Sequence, residues 1–159
     1  ESVYDVACAT ADGGLLYERT NAIPPPVIEV DFNPAFKVEL FFVYLNHKQN
    51  NKQAVAAFDC GMLTPQIMKI LNELTLSFLA DLTLADFQNL MTEHEAIIAN
   101  LINATPIQKR LFDDYSGVIK SLGAWGGDFI LACGAADTPN YFAQKGYNTC
   151  LTYQSLIVN

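Results

Sequence analysis

The stretch Val38-Glu39-Leu40-Phe41-Phe42-Val43-Tyr44-Leu45 decides the fold class of this chain. β-Branched and aromatic residues dominate it, as they do in a strand that is buried in a sheet. It is the longest candidate for an apolar run in the chain. It contains Glu39 and is much shorter than the ~18 residues that a membrane span needs, so it is not predicted to cross a membrane. No basic residue interleaves its aromatic side chains, so they are predicted to fill a core and not to stack on nucleic acid bases. We therefore predict a central β-strand here.

Weaker strand patterns occur towards both ends of the chain. Gly13-Gly14 is a turn signal ahead of one of them, and Pro24-Pro25-Pro26 forms a stiff, extended connector ahead of another. The segments are short and rich in apolar residues, which is typical of strands. Strands are predicted at residues 15–19, 27–32, 129–133 and 149–158.

The middle of the chain has the pattern of helices. Three Thr-Pro pairs each place a hydroxyl that could cap a helix before a proline that suits the first helical turn. Thr83 opens another helix, with Asp86 three residues later as in a capping box. Apolar residues after Thr83 recur at helical spacing, and a further short helix is predicted at 54–58. The pairs are Thr64-Pro65, Thr105-Pro106 and Thr138-Pro139.

Strands that flank a block of helices, without regular βαβ alternation, predict an α+β fold. The expected architecture is a two-layer sandwich, with an antiparallel sheet and helices packed on one face. Among such sandwiches we expect a ferredoxin-like arrangement. Fold class by itself says little about chemistry, so function has to be argued from individual residues.

Composition and charge restrict the possible functions. The chain has 159 residues, which is enough for one domain with a hydrophobic core. Since 51% of the residues are hydrophobic and only 16% are charged, the chain is expected to be folded and globular. The formal net charge of −8 argues against sequence-independent binding to nucleic acid or to anionic membranes. An acidic protein can still bind phosphate through a local nest of backbone N–H groups.

The cysteines and histidines give little sign of a metal site. Cys8, Cys60, Cys133 and Cys150 form no CxxC pair and lie among apolar or small residues. We expect buried free thiols in a reducing cytoplasm, and two disulfides or a zinc site have little support. Glu93-His94-Glu95 resembles a metal cluster, but it is not an HExxH motif. We predict that His94 continues the apolar stripe of its helix and that the two glutamates point away from it.

The stretch Lys120-Ser121-Leu122-Gly123-Ala124-Trp125-Gly126-Gly127-Asp128-Phe129 carries the strongest functional signal. Three glycines within five residues, directly before a predicted strand, allow positive φ angles and close approach of a ligand. Such a loop can direct several backbone N–H groups at one phosphate. A tight turn or a bulged hairpin explains the same composition and remains the alternative at this point. It is not a Walker loop, because no Gly-Lys-Ser/Thr follows.

Two elements of the chain resemble the GHMP superfamily of galactokinases, homoserine kinases, mevalonate kinases and phosphomevalonate kinases. Lys-x-x-Gly-Ala-x-Gly-Gly before a strand is similar to the third motif of this superfamily. Ser2-Val3-Tyr4-Asp5-Val6-Ala7-Cys8-Ala9 resembles its Ser-Gly-x-Asp element, although Val3 replaces the glycine. The two occur in the family's order with a helix pair between them, and the mevalonate and phosphomevalonate kinase branch is the most similar. Within the loop, Trp125 replaces a small residue and Asp128 adds a negative charge.

The resemblance implies an ATP-dependent kinase that phosphorylates a hydroxyl or phosphate of a mevalonate-like or sugar-like metabolite. Asp5 would orient the acceptor hydroxyl, since full proton abstraction by a carboxylate is unfavourable. ATP phosphates would bind at the glycine loop, with Lys120 assisting, and Mg²⁺ ligands would come from the N-terminal half of the enzyme. The implied nucleotide-binding residues are Lys120, Gly123, Ala124, Trp125, Gly126 and Gly127.

The superfamily's main phosphate-binding loop, Pro-x-x-x-Gly-Leu-Gly-Ser-Ser-Ala, does not occur in this sequence. We therefore expect residues 1–26 to be the end of an N-terminal kinase domain with its connector, and residues 27–159 to be the C-terminal domain. Alone, such a fragment is expected to be inactive. It could form a homodimer or pair with the N-terminal half through an exposed apolar face. A non-catalytic α+β module for ligand binding or dimerisation is the alternative function.

Overall fold

The computed structural model describes residues 7–8, 10–11, 13–18, 20, 22, 25–47, 60–123, 125 and 128–156. The predicted helix at 54–58 lies outside these residues. Short 3₁₀ helices occur at Lys37–Glu39 and Cys60–Met62. The strands are β1 (Gly14–Tyr17), β2 (Val27–Val30), β3 (Leu40–Tyr44), β4 (Val118–Ser121), β5 (Phe129–Cys133) and β6 (Cys150–Thr152). The α-helices with assigned bounds are α1 (Pro65–Ser77), α2 (Leu84–Leu101), α3 (Ile107–Leu111), α4 (Thr138–Gln144) and α5 (Tyr153–Leu156).

The strands form two antiparallel sheets. β1 and β2 pair with each other as a two-stranded sheet. The other four strands form one sheet in the order β4-β5-β3-β6, in which every neighbouring pair is antiparallel. Helices α1 to α3 connect β3 to β4, and α4 connects β5 to β6. Each of these two connections passes over one strand of the sheet. The prediction of an α+β fold with an antiparallel sheet is confirmed.

The central strand β3 contributes to two separate core clusters, one on each face of the sheet. Alternate residues of a strand point to opposite faces. Phe41 and Val43 belong to a cluster with side chains of α3 and α4, whereas Leu40 belongs to a second cluster with side chains of α2 and α5. The prediction that helices cover one face is therefore wrong. Both faces of β3 are apolar, and each face has to be shielded from water.

Two of the four predicted helix starts are confirmed by their capping hydrogen bonds. The Thr64 hydroxyl accepts from the N–H of Ile67 at 3.3 Å, at the start of α1. At the start of α2, Thr83 and Asp86 form a complete capping box. In this box, hydrogen bonds from Thr83 also lower the pKa of the Asp86 carboxyl. Both helix starts were predicted from residues within three positions of each other. Both positions are exposed, so the local capping preference and not tertiary packing determines where the helix begins.

The other two Thr-Pro pairs do not cap their helices. The N-cap of α3 is Pro106, which makes no side-chain cap hydrogen bond, and the backbone of Ile107 hydrogen-bonds to the Glu95 carboxyl. Helix α4 begins at Thr138 itself, after the N-cap Asp137. The hydroxyl of Thr138 is buried and lies 2.8 Å from the hydroxyl of Tyr115, with which it forms a hydrogen bond. Because a tertiary partner takes this hydroxyl, the predicted cap at Thr138 is wrong.

Two strand predictions are also corrected. β4 lies inside the glycine-punctuated segment 116–127, where no strand was predicted. Of the strand predicted at 149–158, the described part forms the three-residue strand β6 and then α5, and residues 157–158 lie outside the described residues. Both strands are edge strands of the four-stranded sheet, with a neighbour on one side only. Such short segments give a weak periodic signal, and their pairing with the central strands fixes their conformation.

The remaining general predictions concern the membrane and the thiols. Among the described residues, no helix has both the length and the apolar character needed to cross a membrane. Cys8, Cys133 and Cys150 are free thiols. Cys133 is buried and Cys150 partly buried, whereas Cys8 is exposed, so the prediction of a buried thiol is wrong for Cys8. Burial raises the pKa of the Cys133 thiol to about 12, which keeps this group protonated and unreactive at neutral pH.

Candidate functional site

The glycine-rich segment forms the connection of a β-hairpin. β4 ends at Ser121, which pairs with Ile130 of β5. The N–H of Leu122 then donates to the carbonyl of Phe129 at 3.3 Å, which is the last hydrogen bond before the loop. Residues 122–128 are called the hairpin loop below. Of its predicted site residues, Gly123 and Trp125 are described, whereas Ala124, Gly126 and Gly127 lie outside the described residues.

The hairpin loop contains several residues with left-handed backbone conformations. Gly123 has a φ of 58°, Trp125 a φ of 56° and Asp128 a φ of 47°. Glycine adopts this conformation freely, but a bulky residue such as tryptophan is strained in it. A backbone of this kind tends to be maintained by surrounding contacts and to occur at functional sites. A side chain placed at Gly123 would meet no atom within 4 Å, so the space beside this residue is open.

The exit of the hairpin loop is fixed by the segment that follows β3. The N–H of Asp128 donates to the carbonyl of His47 at 2.7 Å, and the N–H of Leu45 donates to the carbonyl of Asp128 at 2.7 Å. The amide of Asp128 is therefore not available to an anion. Within the described part of the chain, the backbone N–H groups of Gly123 and Trp125 have no hydrogen-bond acceptor. These two groups are the ones that a ligand could use.

The entrance of the hairpin loop is fixed by two charged side chains that contact Ser121. Glu95 of α2 is only 3% exposed, and Ser121 only 2%. The N–H of Ser121 donates to Glu95 Oε2 at 3.1 Å, and the Ser121 hydroxyl donates to Glu95 Oε1 at 2.8 Å. The ammonium group of Lys120 donates to the carbonyl of Ser121 at 3.2 Å. Together these contacts satisfy every polar group of Ser121.

Burial shifts the pKa values of the charged groups around Ser121. The pKa of the Glu95 carboxyl is raised by desolvation, and the hydrogen bonds from Ser121 and the charge of Lys120 reduce this effect. The pKa of Lys120 is lowered by desolvation, and the charge of Glu95 opposes that change. In His94, desolvation and the nearby Lys120 lower the pKa from 6.5 to about 4. Perturbed groups of this kind cluster at functional sites, although structural networks also perturb them.

Two buried polar atoms near this region have no hydrogen-bond partner within the part of the chain that the structure describes. They are Nδ1 of His94 and the indole Nε1 of Trp125. An unsatisfied buried polar atom costs free energy, so each native example calls for an explanation. For Trp125 the unmet indole N–H coincides with the strained backbone of the same residue. Both features are consistent with a loop conformation that a ligand or a rearrangement would stabilise.

The sequence-predicted site residues have different outcomes in the structure. Gly123 and Trp125 lie in the hairpin loop, and Lys120 lies next to it with its ammonium group on the Ser121 carbonyl. Asp5 lies outside the described residues, so its position relative to the loop stays a prediction. The expectation that Glu95 points away from the core is wrong, because this side chain is buried against β4.

Sequence reasoning missed Glu95, although the spacing contained a signal for it. Phe87, Met91 and Glu95 are each four residues apart and lie on one face of α2. The first two are buried core residues, so the third is expected to face the same way. A charged residue at the end of such a stripe requires a polar partner in the interior. Ser121 is that partner.

A pocket of about 230 Å³ lies elsewhere in the molecule. It is formed by the segment before β3 and by the connection between α1 and α2, and it contains no residue of the hairpin loop. Among the described residues there is also no group of three or more His, Cys, Asp or Glu side chains placed to bind a metal ion. The lining residues are Asp31, Phe32, Asn33, Pro34, Phe36, Leu79, Ala80, Asp81 and Leu82.

Comparison of this chain with protein-family models, with curated proteins and with solved structures gives no match. The function therefore has to be argued from the sequence motifs and from the geometry of the hairpin loop.

Proposed function

We propose that this chain is the C-terminal half of an ATP-dependent small-molecule kinase of the GHMP superfamily, nearest its mevalonate and phosphomevalonate kinase branch. The intact enzyme transfers the γ-phosphate of ATP, with Mg²⁺, to a hydroxyl or phosphate of a mevalonate-like or sugar-like metabolite. Residues 1–26 belong to the N-terminal domain and its connector, and residues 27–159 form the C-terminal domain. A kinase that uses the cellular ATP pool works in the cytoplasm.

The hairpin loop is the observation that carries this proposal. Its two ends are held by hydrogen bonds, and between them the backbone N–H groups of Gly123 and Trp125 have no acceptor among the residues that the structure describes. Open space lies beside Gly123, so a phosphate can approach the backbone closely. Backbone N–H groups in such a turn form an anion-binding concavity. This arrangement favours a phosphate-binding loop over a hairpin turn without a ligand.

The connectivity of the four-stranded sheet gives further support. The order β4-β5-β3-β6, with two connections that each pass over one strand, is that of two split βαβ units. This strand order agrees with the ferredoxin-like C-terminal domain that the GHMP resemblance implies, whereas the packing of helices on both faces of the sheet does not. The proposed boundary between residues 26 and 27 lies between β1 and β2, which pair with each other, so the sheet gives no support to this boundary.

The chemistry of the proposed reaction consists mainly of alignment and charge neutralisation. The hairpin loop holds the β- or γ-phosphate through backbone N–H groups, and Lys120 adds a positive charge next to it. Asp5 orients the acceptor hydroxyl and takes up its proton late in the transfer. The N-terminal half would hold Mg²⁺, which would supply charge neutralisation at the phosphates. This chain contributes the phosphate loop and the body of the domain that holds it.

The proposal is tested on the full-length protein by measuring ATP-dependent phosphorylation of mevalonate, phosphomevalonate and simple sugars. We expect turnover with one of these classes, and we expect Asp5→Asn to reduce kcat by about 10²-fold or more, as for the loss of a catalytic acid or base. Turnover that is undiminished in Asp5→Asn would remove Asp5 from the mechanism. Absence of phosphorylation with every acceptor, in a protein that is folded, would refute the kinase proposal.

The hairpin loop is tested with a pair of glycine variants that carry the same backbone cost. Gly123 and Gly146 both have positive φ and open space around the position of a Cβ atom. Alanine at either site costs about 1–2 kcal/mol in the left-handed conformation, so the two variants should lose similar stability. Only Gly123→Ala places a methyl group where a phosphate would approach, and only this variant should raise the KM for ATP. Equal KM values in the two variants would contradict the assignment of the loop.

A second candidate function is favoured by the exposed apolar side chains around α1. Only Leu74 of this helix is buried, whereas Met68 and Leu76, and Leu79 just after the helix, are 46%, 56% and 42% exposed. Such a face suits a binding surface for another protein. If the chain is a non-catalytic dimerisation module, it should dimerise through this face and show no kinase activity. Sedimentation over a wide concentration range, with Leu76→Lys as the interface variant, tests this dimer, and the kinase assay on the full-length protein separates the module from the kinase.

A further inference from the structure

We propose that Glu95 is a positioning residue of the hairpin loop: its buried carboxylate holds Ser121 and thereby sets the direction in which the loop leaves β4. This inference rests on the proposed function, because it assigns to Glu95 a part in placing the N–H groups that bind ATP phosphate. Glu95 does not contact the reacting atoms in this assignment. It acts through Ser121 and the backbone that follows it.

The contacts of Ser121 are the basis of the inference. Ser121 is the last residue of β4, and its N–H points away from β5, toward α2. Glu95 uses both carboxylate oxygens on this residue, one for the N–H and one for the hydroxyl. A two-point contact fixes the orientation of the residue as well as its distance, and hydrogen bonds to a charged acceptor are stronger than neutral ones. The loop begins at the next residue.

Lys120 completes the arrangement around Ser121. Its ammonium group donates to the Ser121 carbonyl, so the third polar group of this residue is also held. The positive charge offsets the negative charge of Glu95, and both side chains are partly or fully removed from water. A buried carboxylate is tolerated where hydrogen bonds and an opposite charge compensate for lost hydration. Loss of Glu95 would leave Lys120 without this compensation.

Edge protection of β4 does not by itself require a carboxylate. Two residues earlier, the N–H of Ile119 faces the same way and donates to the neutral Oε1 of Gln108 at 2.8 Å. The amide group of Gln108 also donates to the carbonyl of Gly117 at 3.0 Å. A neutral side chain therefore suffices to satisfy the open edge of this strand. The charged residue is found at the one position from which the hairpin loop departs.

The test uses Trp125, which is the only tryptophan of the chain and lies within the hairpin loop. Its fluorescence reports the position of the loop without any reference to catalysis. In full-length Glu95→Gln, which keeps the shape of the side chain but can accept through one oxygen only, we expect a red-shifted emission and increased quenching by acrylamide. We also expect kcat/KM for ATP to fall about tenfold, as for the loss of one hydrogen bond to a charged group, with little change in the KM of the acceptor.

Two further variants serve as a negative control and as a second test of the contact between Glu95 and Ser121. Gln88 lies on the same helix and donates to the carbonyl of Cys133 at 3.2 Å, at the end of the sheet away from the hairpin loop. Gln88→Ala should therefore leave both the fluorescence of Trp125 and the KM for ATP unchanged. Ser121→Ala removes one of the two contacts with Glu95 and should reproduce part of the Glu95→Gln effect, even if the latter variant folds poorly.

The outcomes separate this inference from the proposed function. If the unmutated protein phosphorylates its acceptor but Trp125 fluorescence and kcat/KM for ATP stay the same in Glu95→Gln and Ser121→Ala, the positioning role is refuted. If the same variants shift the fluorescence while the unmutated protein has no kinase activity, the contact of Glu95 with Ser121 does position the hairpin loop, but the kinase proposal is refuted. If Gln88→Ala gives the same fluorescence shift, the effect is general destabilisation of α2, which also refutes the positioning role.

Discussion

Acidification should destabilise the protein through His94. The imidazole is partly buried on α2, its Nδ1 has no hydrogen-bond partner, and the charge of Lys120 lies nearby. Desolvation and this charge lower the pKa of His94 from 6.5 to about 4. The unfolded chain therefore takes up a proton near pH 6.5, whereas the native state resists protonation until about pH 4. Between these values the unfolded state binds more protons, so the free energy of unfolding decreases as the pH falls.

The size of this effect follows from the linkage between protonation and folding. The full change in the pKa of His94 corresponds to a maximum of about 3.4 kcal/mol in the free energy of unfolding, at 1.36 kcal/mol per pKa unit. By pH 5 only part of it is expressed, and solvent screening of a partly exposed ring reduces it further. We therefore expect a loss of about 1 kcal/mol between pH 7 and pH 5. Glu95 acts in the opposite direction, because its raised pKa favours the native state at lower pH.

Urea unfolding at the two pH values, compared with His94→Gln, isolates the contribution of His94. Between pH 7 and pH 5, the free energy of unfolding of the unmutated protein should decrease by about 1 kcal/mol more than that of His94→Gln. At a typical dependence of this free energy on urea concentration, the difference is roughly 0.5 M in the urea midpoint. An NMR titration in a His47→Gln background, which leaves His94 as the only histidine, gives its pKa directly. A titration midpoint near the ordinary value of 6.5, or an equal pH effect in parent and variant, would refute the burial argument.

Three further predictions concern stability, each measured as the free energy of unfolding in urea. Thr83→Ala removes the capping box of α2 and should cost about 1 kcal/mol, whereas Thr105→Ala, at a pair without a side-chain cap, should cost little. Phe112→Ala deletes a fully buried ring from the core and should cost about 3–5 kcal/mol; a loss under 1 kcal/mol would mean that this core is not packed as described. Gly134→Ala would place a Cβ atom against the hydroxyl of Tyr115 and should cost about 1–3 kcal/mol, and an unchanged midpoint would contradict this contact.

Several local features of the fold were predictable from neighbouring residues. A central strand was predicted at Val38–Leu45 from its β-branched and aromatic composition, and the structure has it at Leu40–Tyr44, after a 3₁₀ helix at Lys37–Glu39. The start of α2 at Thr83 was predicted from a capping pair three residues apart. In both segments, the residues that decide the conformation lie within a few positions of one another. The hairpin loop was identified for the same reason, from its three closely spaced glycines.

The candidate site was only partly predictable. Gly123, Trp125 and Lys120 were predicted as site residues and lie in or next to the hairpin loop. Glu95 was predicted to point away from the core, and it instead contacts Ser121 across 26 positions of the chain. The direction of Glu95 depends on how α2 packs on the edge of β4. Helical periodicity gives the stripe of α2 but not the surface that this stripe will meet.

The sequence by itself determined the α+β class, the central strand, the capping box of α2 and the position of the glycine-rich loop, since each depends on side chains close together in the chain. Tertiary structure alone decided that helices cover both faces of the sheet, that the Thr138 hydroxyl binds Tyr115, and that Glu95 lies inside the protein. The physical reason is the range of the interactions. Local conformational preferences act over a few residues, whereas burial and hydrogen bonding of the site residues depend on which distant segments pack together.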